Sequence, residues 1–161
     1  MKNRRNAFTL VEVLLVVVII AALAALAAVA IFPARNQANI DLTRAKVEKV
    51  MAKLELYAGK LDYPTDEQGL NALVVKPTFE KPEMEKNWFG PYLSLSDLKD
   101  AWGNDLKYKL EDVTDSSGTA GTTRKVPRVY SFGPNKTDDS GDGDDIINQA
   151  WADEKAASGT H

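Results

Sequence analysis

The sequence predicts an α+β protein, on three observations. An uncharged apolar run extends from Val13 to Phe32 and is followed by apolar residues at helical spacing. Two short segments, 106–110 and 128–132, alternate apolar and polar residues as half-exposed strands do. An acidic, glycine-containing loop occupies 132–146. These features favour one long amino-terminal helix, a small head, residues 34–148, that includes the second half of this helix, and a tail, residues 149–161.

The apolar run is long enough to cross a bilayer, which requires roughly 20 apolar residues. It contains 13 Leu, Ile, Val and Phe residues, which favour membrane insertion by roughly 4–8 kcal/mol. A basic leader, residues 1–7, precedes it, and Glu12 is the one acid at its start. Because a charge in hydrocarbon is costly, Glu12 indicates a partner for its carboxylate.

Apart from a membrane segment in which Glu12 has a partner, the run has two other interpretations, which are a plain signal anchor and a cleaved secretory signal. Ala28-Val29-Ala30 has the small-x-small pattern of a cleavage site, and cleavage there would make Ile31 the first residue. A secretory signal, however, has an apolar core of only about 7–15 residues. The length of the run and the position of Glu12 therefore favour an anchor that is kept.

Helix is expected to continue beyond the membrane segment to about Ala58. Apolar residues recur there at helical spacing, at Val47, Val50, Met51, Leu54, Ala58 and Leu61. Pro33 lacks a backbone donor, so two separate helices joined at Pro33 are the alternative. In the favoured interpretation, the apolar stripe of the second half covers the head.

Composition limits the classes of function. Three of the 20 basic residues lie in the leader, which leaves 17 against 23 acidic residues, a balance that does not suit nucleic acid. The chain has no cysteine, and its one histidine, His161, is the last residue. Neither a Ser-His nor a Cys-His arrangement can be built, so no enzyme is predicted.

The junction Ala7-Phe8-Thr9-Leu10-Val11-Glu12 resembles the class III signal of type IV pilins and pseudopilins. The resemblance implies that a prepilin peptidase cuts between Ala7 and Phe8 and methylates the new amino terminus of Phe8. It also implies that 8–33 is kept as a transmembrane and assembly helix. Glu12 would neutralise the terminal amine of a neighbouring subunit. The family usually has Gly before the cut, where this chain has Ala7.

The segment from Tyr63 to Val74 is similar to the Tyr-Pro-Thr-x-Glu-Gln-Gly-Leu-x-Ala-Leu segment of G-type subunits, the major pseudopilins of type II secretion. Thr65 and Gln68 have the spacing of a capping box at the start of a short helix. The resemblance implies a type IV pilin-like fold, with a long amino-terminal helix on a small antiparallel sheet and a metal-binding carboxyl-terminal loop. The aromatic residues of 88–93 and 100–104 are expected in core and turn positions.

The acidic loop has five Asp in eight residues, 138–145. Oxygen ligands on a flexible loop suit calcium, which takes 6–8 oxygens. An EF-hand would place Asp138, Ser140, Asp142 and Gly143 in its first half, but its twelfth position would be Gln149 rather than Glu. The EF-hand interpretation therefore fails, and a solvated acidic turn is the other alternative to calcium.

The G-type resemblance implies a calcium site within this loop. Carried over by position, the ligands are the side chains of Asn135, Asp144 and Asp145 and the carbonyls of Phe132 and Thr137. Asn135 stands where the family has a carboxylate, and the loop is longer than in the family. Asp138, Asp139 and Asp142 are the candidate substitutes.

The predicted function is that of a structural subunit of a type II secretion pseudopilus, assembled by helix packing to drive export of folded proteins across the outer membrane. Expected partners are further copies of the chain, minor pseudopilins, the inner-membrane assembly platform and the prepilin peptidase, with no nucleic acid.

The number of basic residues is the same on the two sides of the apolar run, with Lys2, Arg4 and Arg5 before it and Arg35, Arg44 and Lys46 after it, so their count gives no orientation. The resemblance therefore sets the orientation, which is a single pass of the inner membrane with the carboxyl-terminal domain in the periplasm. The alternatives are a type IV pilin for adhesion, motility or DNA uptake, and a monomeric, membrane-anchored calcium-binding module.

Overall fold

The structure is a computed structural model and describes residues 9–79, 81–115 and 122–158. Four helical elements come first: α1 (Leu10–Leu61), a 3-10 helix (Gly69–Leu73), α2 (Pro82–Asn87) and a second 3-10 helix (Leu95–Leu98). The strands β1 (Lys107–Asp115), β2 (Thr122–Ser131) and β3 (Ile146–Ile147) follow, and α3 (Gln149–Ser158) ends the described chain. The chain divides into two compact units, residues 1–38 and 39–161.

Helix α1 is assigned without interruption through Pro33, so the alternative of two helices joined at that residue is wrong. In the first unit, the side chains from Val13 to Ile20 are between 49% and 59% exposed. This uniform exposure means that the described residues cover no face of the segment from Val13 to Ile20. By length and composition it is the one helix of the described residues that could cross a membrane.

The second unit is built on the apolar stripe of α1. Val47, Val50 and Leu54 are fully buried, and Tyr57 is nearly so. Their spacing of three and four residues keeps them on one face of the helix. The core that they form also contains Leu70, Leu73, Leu93, Leu98, Leu106, Val129 and Ile146. The helical periodicity predicted for this segment is confirmed.

The three strands form one antiparallel sheet in the order β1-β2-β3. Lys107 lies opposite Tyr130 and Asp115 opposite Thr122, while Tyr130 also pairs with Ile147. The pairing of the two alternating segments is confirmed, and the long helix with a small antiparallel sheet is the predicted fold. Strand β3 and helix α3 are additions that the sequence patterns did not indicate.

Local predictions around the core are largely confirmed. Thr65 and Gln68 exchange the two hydrogen bonds of a capping box, although the helix that follows is a 3-10 helix from Gly69. Trp88 and Trp102 pack against the core, as predicted. Phe89 is 68% exposed and therefore lies outside the core. The Lys60 ammonium lies 4.2 Å from the centre of its ring.

Candidate functional site

The amino-terminal feature is an exposed acid at the start of α1. Glu12 lies in the first turn, where its backbone N–H donates to the Thr9 carbonyl and, at 3.3 Å, to the Thr9 hydroxyl. Thr9 therefore caps the helix, and the positive end of the helix dipole favours an acid at this position. The predicted cleavage residues, Ala7 and Phe8, lie outside the described residues.

The acidic loop connects β2 to β3 and spans residues 132–145, since Ile146 is the first residue of β3. Gly133, at its base, has a φ of +65°, and a Cβ there would lie 2.2 Å from the Asp144 carbonyl oxygen. Only glycine permits so close an approach of the two ends of the loop. The loop thus closes on itself at Gly133 and Asp144.

Asn135 connects the two sides of the loop. Its backbone N–H donates to Asp144 Oδ2 at 3.0 Å, and its side-chain amide nitrogen donates to Asp139 Oδ2 at 2.9 Å and to Asp144 Oδ1. Its side-chain oxygen accepts a hydrogen bond from the Thr137 N–H at 2.6 Å. The structure therefore brings together Asn135, Asp139 and Asp144, two predicted ligands and one candidate substitute.

Asp145 stands on the inner side of the loop. Its Oδ2 accepts hydrogen bonds from the N–H groups of Gly141, at 2.8 Å, and Asp139, at 3.1 Å. Its Oδ1 is buried and has no hydrogen-bond partner among the described residues. Burial raises the pKa of the Asp145 carboxyl above its usual range. The two backbone donors lower this pKa, and the nearby Asp138 and Asp139 carboxylates raise it further.

The other residues of the predicted ligand set have different side-chain partners, although the Asp142 backbone is hydrogen-bonded to Asp139 and Asp145. Asp138 accepts a hydrogen bond from the Ser140 N–H, and Asp142 forms an ion pair with Lys155. Phe132 packs its ring against Tyr130. Within residues 9–79, 81–115 and 122–158, no group of three or more His, Cys, Asp or Glu side chains is placed to hold a metal ion.

The donor set of the loop nevertheless has the chemistry that calcium requires. Carboxylate and amide oxygens are hard ligands, and the buried Oδ1 of Asp145 has no hydrogen-bond partner among the described residues. Buried carboxylate oxygens in native proteins ordinarily have a hydrogen-bond or metal partner. Asn135, Asp139, Asp144 and Asp145 are the residues whose oxygen atoms would hold a calcium ion if one bound here.

A residue that the sequence patterns did not identify as part of the site is Asp100, which lies beneath the loop. It is 4% exposed and accepts hydrogen bonds from Trp102, Asn104 and Ser131. The sequence marks the segment only as an aromatic-glycine turn. The turn predicted at 100–104 thus also supports the last residue of β2.

Comparison with known proteins places the chain among secretion subunits. A family model described as "Type II secretion system (T2SS), protein G" matches residues 30–149, and a prokaryotic N-terminal methylation motif matches residues 2–28. The type II secretion system core protein G of Pseudomonas aeruginosa is 34% identical over 111 residues, covering 66% of this chain and 75% of the relative. That of Dickeya chrysanthemi is 33% identical over 145 residues, covering 88% and 86%.

A solved structure shows the same fold. The major pseudopilin from the type 2 secretion system of enterohaemorrhagic Escherichia coli superposes with a TM-score of 0.53 at 24% identity. The superposition covers 75% of this chain and 91% of that one. The family match ends one residue into α3. With its long helix, small sheet and matched methylation motif, the chain belongs to the type II secretion system protein G family and is a structural subunit of the pseudopilus.

Proposed function

We propose that copies of this chain assemble through the apolar half of α1 into a pseudopilus that drives folded proteins across the outer membrane. The observation that carries the proposal is the uncharged run from Val13 to Phe32, in which the side chains from Val13 to Ile20 are exposed on all faces of the helix. Such a helix needs lipid or like helices around it. Before assembly it anchors the chain in the inner membrane, with the head in the periplasm.

Glu12 sets the register between neighbouring copies. A lone carboxylate inside a bundle of apolar helices costs several kcal/mol, whereas pairing with a cation removes that cost. Cleavage after Ala7 would create a cationic amine on Phe8, four residues before Glu12. A carboxylate can reach the amine of an adjacent copy only at the correct axial offset, so the pair selects one arrangement of subunits.

Replacement of Glu12 tests this role. Glu12→Ala is expected to leave membrane insertion intact, because it removes a charge from an apolar segment, and to block fibre growth and export. Membrane fractionation, cross-linking between copies and secretion of a folded enzyme are the three measurements. Glu55→Ala, an exposed acid further along α1, removes the same charge and serves as the matched control. Normal fibre growth with Glu12→Ala would contradict the role of Glu12.

The processing step can be tested separately. A prepilin peptidase would leave N-methylated Phe8 as the first residue, and mass spectrometry of the mature amino terminus identifies it. A mature chain that begins at Ile31 would instead show a cleaved secretory signal and overturn the assembly proposal. Handover to the assembly platform and minor pseudopilins would follow the cut. If deletion of the chain leaves export intact while long surface fibres disappear, the type IV pilin alternative is favoured.

Calcium at the acidic loop is the second part of the proposal. Asp139, Asp144 and Asp145 supply carboxylate oxygens, and the carbonyls of Phe132 and Thr137 are the backbone ligands that the family resemblance implies. Asn135 can contribute only if its amide turns so that oxygen, rather than nitrogen, faces Asp139 and Asp144. Calcium would neutralise the crowded acids and join the two ends of the loop, a connection that other exported domains make with a disulfide.

Chelation tests the calcium proposal. The melting temperature of the full chain in detergent micelles is expected to fall on addition of EGTA and to recover with calcium, because an ion bound only by the folded state stabilises it. Asp144→Asn should reduce the response, whereas Asp112→Asn, on the exposed side of β1, should not. A melting temperature that is the same with EGTA and with calcium would remove the metal assignment.

A further inference from the structure

Helix α3 lies almost entirely beyond the family match and is attached to the head at its first residue. The backbone N–H of Gln149 donates to Glu48 Oε1 on α1 at 2.7 Å, and that of Ala152 donates to the Asn148 carbonyl at 3.1 Å. Asn148 is itself fully buried, and its side chain is hydrogen-bonded to Val129 and Pro127 of β2. The start of α3 is therefore fixed to both the long helix and the sheet.

Trp151, near the start of α3, contacts the acidic loop. It is 7% exposed, and its indole N–H donates to Glu111 Oε2 on β1 at 2.9 Å. A Cβ on Gly141 would lie 3.2 Å from the indole ring, so the ring packs directly on the backbone of the loop. The Arg128 guanidinium lies 4.9 Å from the ring and 3.4 Å from a Glu111 oxygen. Trp151 is thereby held from the sheet side while it contacts the loop.

Lys155 makes a second contact with the same loop, one helical turn later. Its ammonium lies 2.9 Å from Asp142 Oδ1, next in sequence to Gly141. On another side of α3, Glu154 pairs with Arg124 of β2. Two residues of α3, four apart and so on one face of the helix, therefore hold adjacent residues of the loop.

We infer that α3 is a clasp, with Trp151 and Lys155 as positioning residues for the acidic loop. The Gly141 N–H that donates to Asp145 belongs to the residue on which Trp151 packs, so the clasp fixes the turn that orients Asp145. Lys155 neutralises Asp142 and keeps this carboxylate out of the proposed ligand set. The first part of the inference stands without a metal, and only the part on Asp142 rests on the proposed calcium site.

Hydrogen exchange of the full chain in micelles, with EGTA present, tests the clasp. With Trp151→Ala, amides of 139–145 are expected to exchange about tenfold faster, and with Lys155→Met roughly threefold faster, while amides of β1 and β2 keep their rates. Lys125→Met on β2 removes the same charge and should change neither group. If amide exchange becomes equally faster throughout the head, or does not become faster in the loop, the inference that α3 is a clasp is overturned. If Trp151→Ala does not fold, Lys155→Met and Asp142→Asn decide.

Calcium titration of the full chain tests the assignment of Asp142. Asp139→Asn is expected to raise the calcium Kd by about tenfold or more, whereas Asp142→Asn should leave it within about twofold. If Asp142→Asn raises the calcium Kd as much as Asp139→Asn does, Asp142 is a ligand and the assignment is wrong. If the parent chain binds no calcium, the proposed metal site and the assignment of Asp142 both fail, and the exchange rates measured in EGTA still decide the clasp.

Discussion

Asp100 and Ser131, 31 residues apart, share a buried hydrogen bond of 2.8 Å that joins the turn before β1 to the end of β2. The Ser131 hydroxyl donates to Asp100 Oδ2 and accepts a hydrogen bond from the Gly133 N–H at 3.1 Å. Asp100 Oδ1 meanwhile accepts the N–H groups of Trp102 and Asn104. One buried carboxylate therefore sets both the turn and the base of the acidic loop.

Removing this carboxylate should destabilise the head strongly. Asp100→Ala leaves the part-buried Trp102 and Asn104 amides and the buried Ser131 hydroxyl without their acceptor, and an unsatisfied donor costs about 1–3 kcal/mol when it is buried. A loss of about 3 kcal/mol in the free energy of unfolding is expected, measured by urea denaturation of the full chain in micelles. Asp112→Ala, on an exposed strand position, is the control and should change the free energy by less than about 0.5 kcal/mol. Similar losses in the two variants would contradict the bridging role of Asp100.

The features that could be predicted from the sequence are those whose apolar residues recur at the regular spacing of a helix or a strand. Val47, Val50 and Leu54 identify the buried face of α1 because helical spacing is visible in one dimension, and the alternation at 106–110 identifies β1 for the same reason. Strand β3 has two residues and shows no alternation. Helix α3 has one large apolar residue, Trp151, and so shows no stripe.

The arrangement of the acidic loop depends on contacts that spacing does not encode. Asp139 and Asp142 are equally plausible ligands in the sequence, because both lie in the same run of acids. The structure distinguishes them by their partners: Asp142 pairs with Lys155, which is 13 residues away on a helix whose start is fixed by Asn148 and Gln149, whereas Asp139 accepts the Asn135 amide. Long-range ion pairs of this kind become visible only when the fold is known.

Gly133 should tolerate no side chain. An added Cβ would lie 2.2 Å from the Asp144 carbonyl oxygen, and the positive φ of +65° is strained for other residues. Gly133→Ala is expected to cost about 2 kcal/mol and to open the loop, seen as faster exchange of amides 139–145. Gly59→Ala, in α1 with nothing within 4 Å of the added atom, should instead be neutral or stabilising by up to about 1 kcal/mol. An unchanged loop in Gly133→Ala would contradict the closure at Asp144.

Stability should depend on pH through Asp97. The hydrogen bond from the Lys49 ammonium, followed by those from the Ser94 backbone and hydroxyl, holds the pKa of the Asp97 carboxyl well below its usual range. An acid whose pKa is lower in the folded state contributes stability above its unfolded pKa, about 3.9, and loses it as the pH falls further. The difference in unfolding free energy between the parent and Asp97→Asn should therefore be constant above about pH 5 and shrink below about pH 4.

Urea denaturation at pH 7, 5, 4 and 3 measures the contribution of Asp97. Because the Lys49–Asp97 pair is partly exposed, high salt should reduce the difference at pH 7. Lys49→Met should remove much of the pH dependence as well, since it removes the main cause of the lowered pKa. A difference between parent and Asp97→Asn that stays constant down to pH 3 would show that this carboxyl titrates normally.

Asn148 should also be sensitive to replacement, because its side chain completes the sheet where β3 ends. It is fully buried, its Oδ1 accepts the Val129 N–H at 2.8 Å, and its amide nitrogen donates to the Pro127 carbonyl at 3.3 Å. Asn148→Ala is expected to cost about 2 kcal/mol, since Val129 would keep a buried donor without an acceptor. Asn148→Asp keeps that acceptor and loses the bond to Pro127. If Asn148→Asp costs less than Asn148→Ala in urea denaturation, the Val129 bond is the larger contribution; a negligible cost for Asn148→Ala would show that the sheet does not need this side chain.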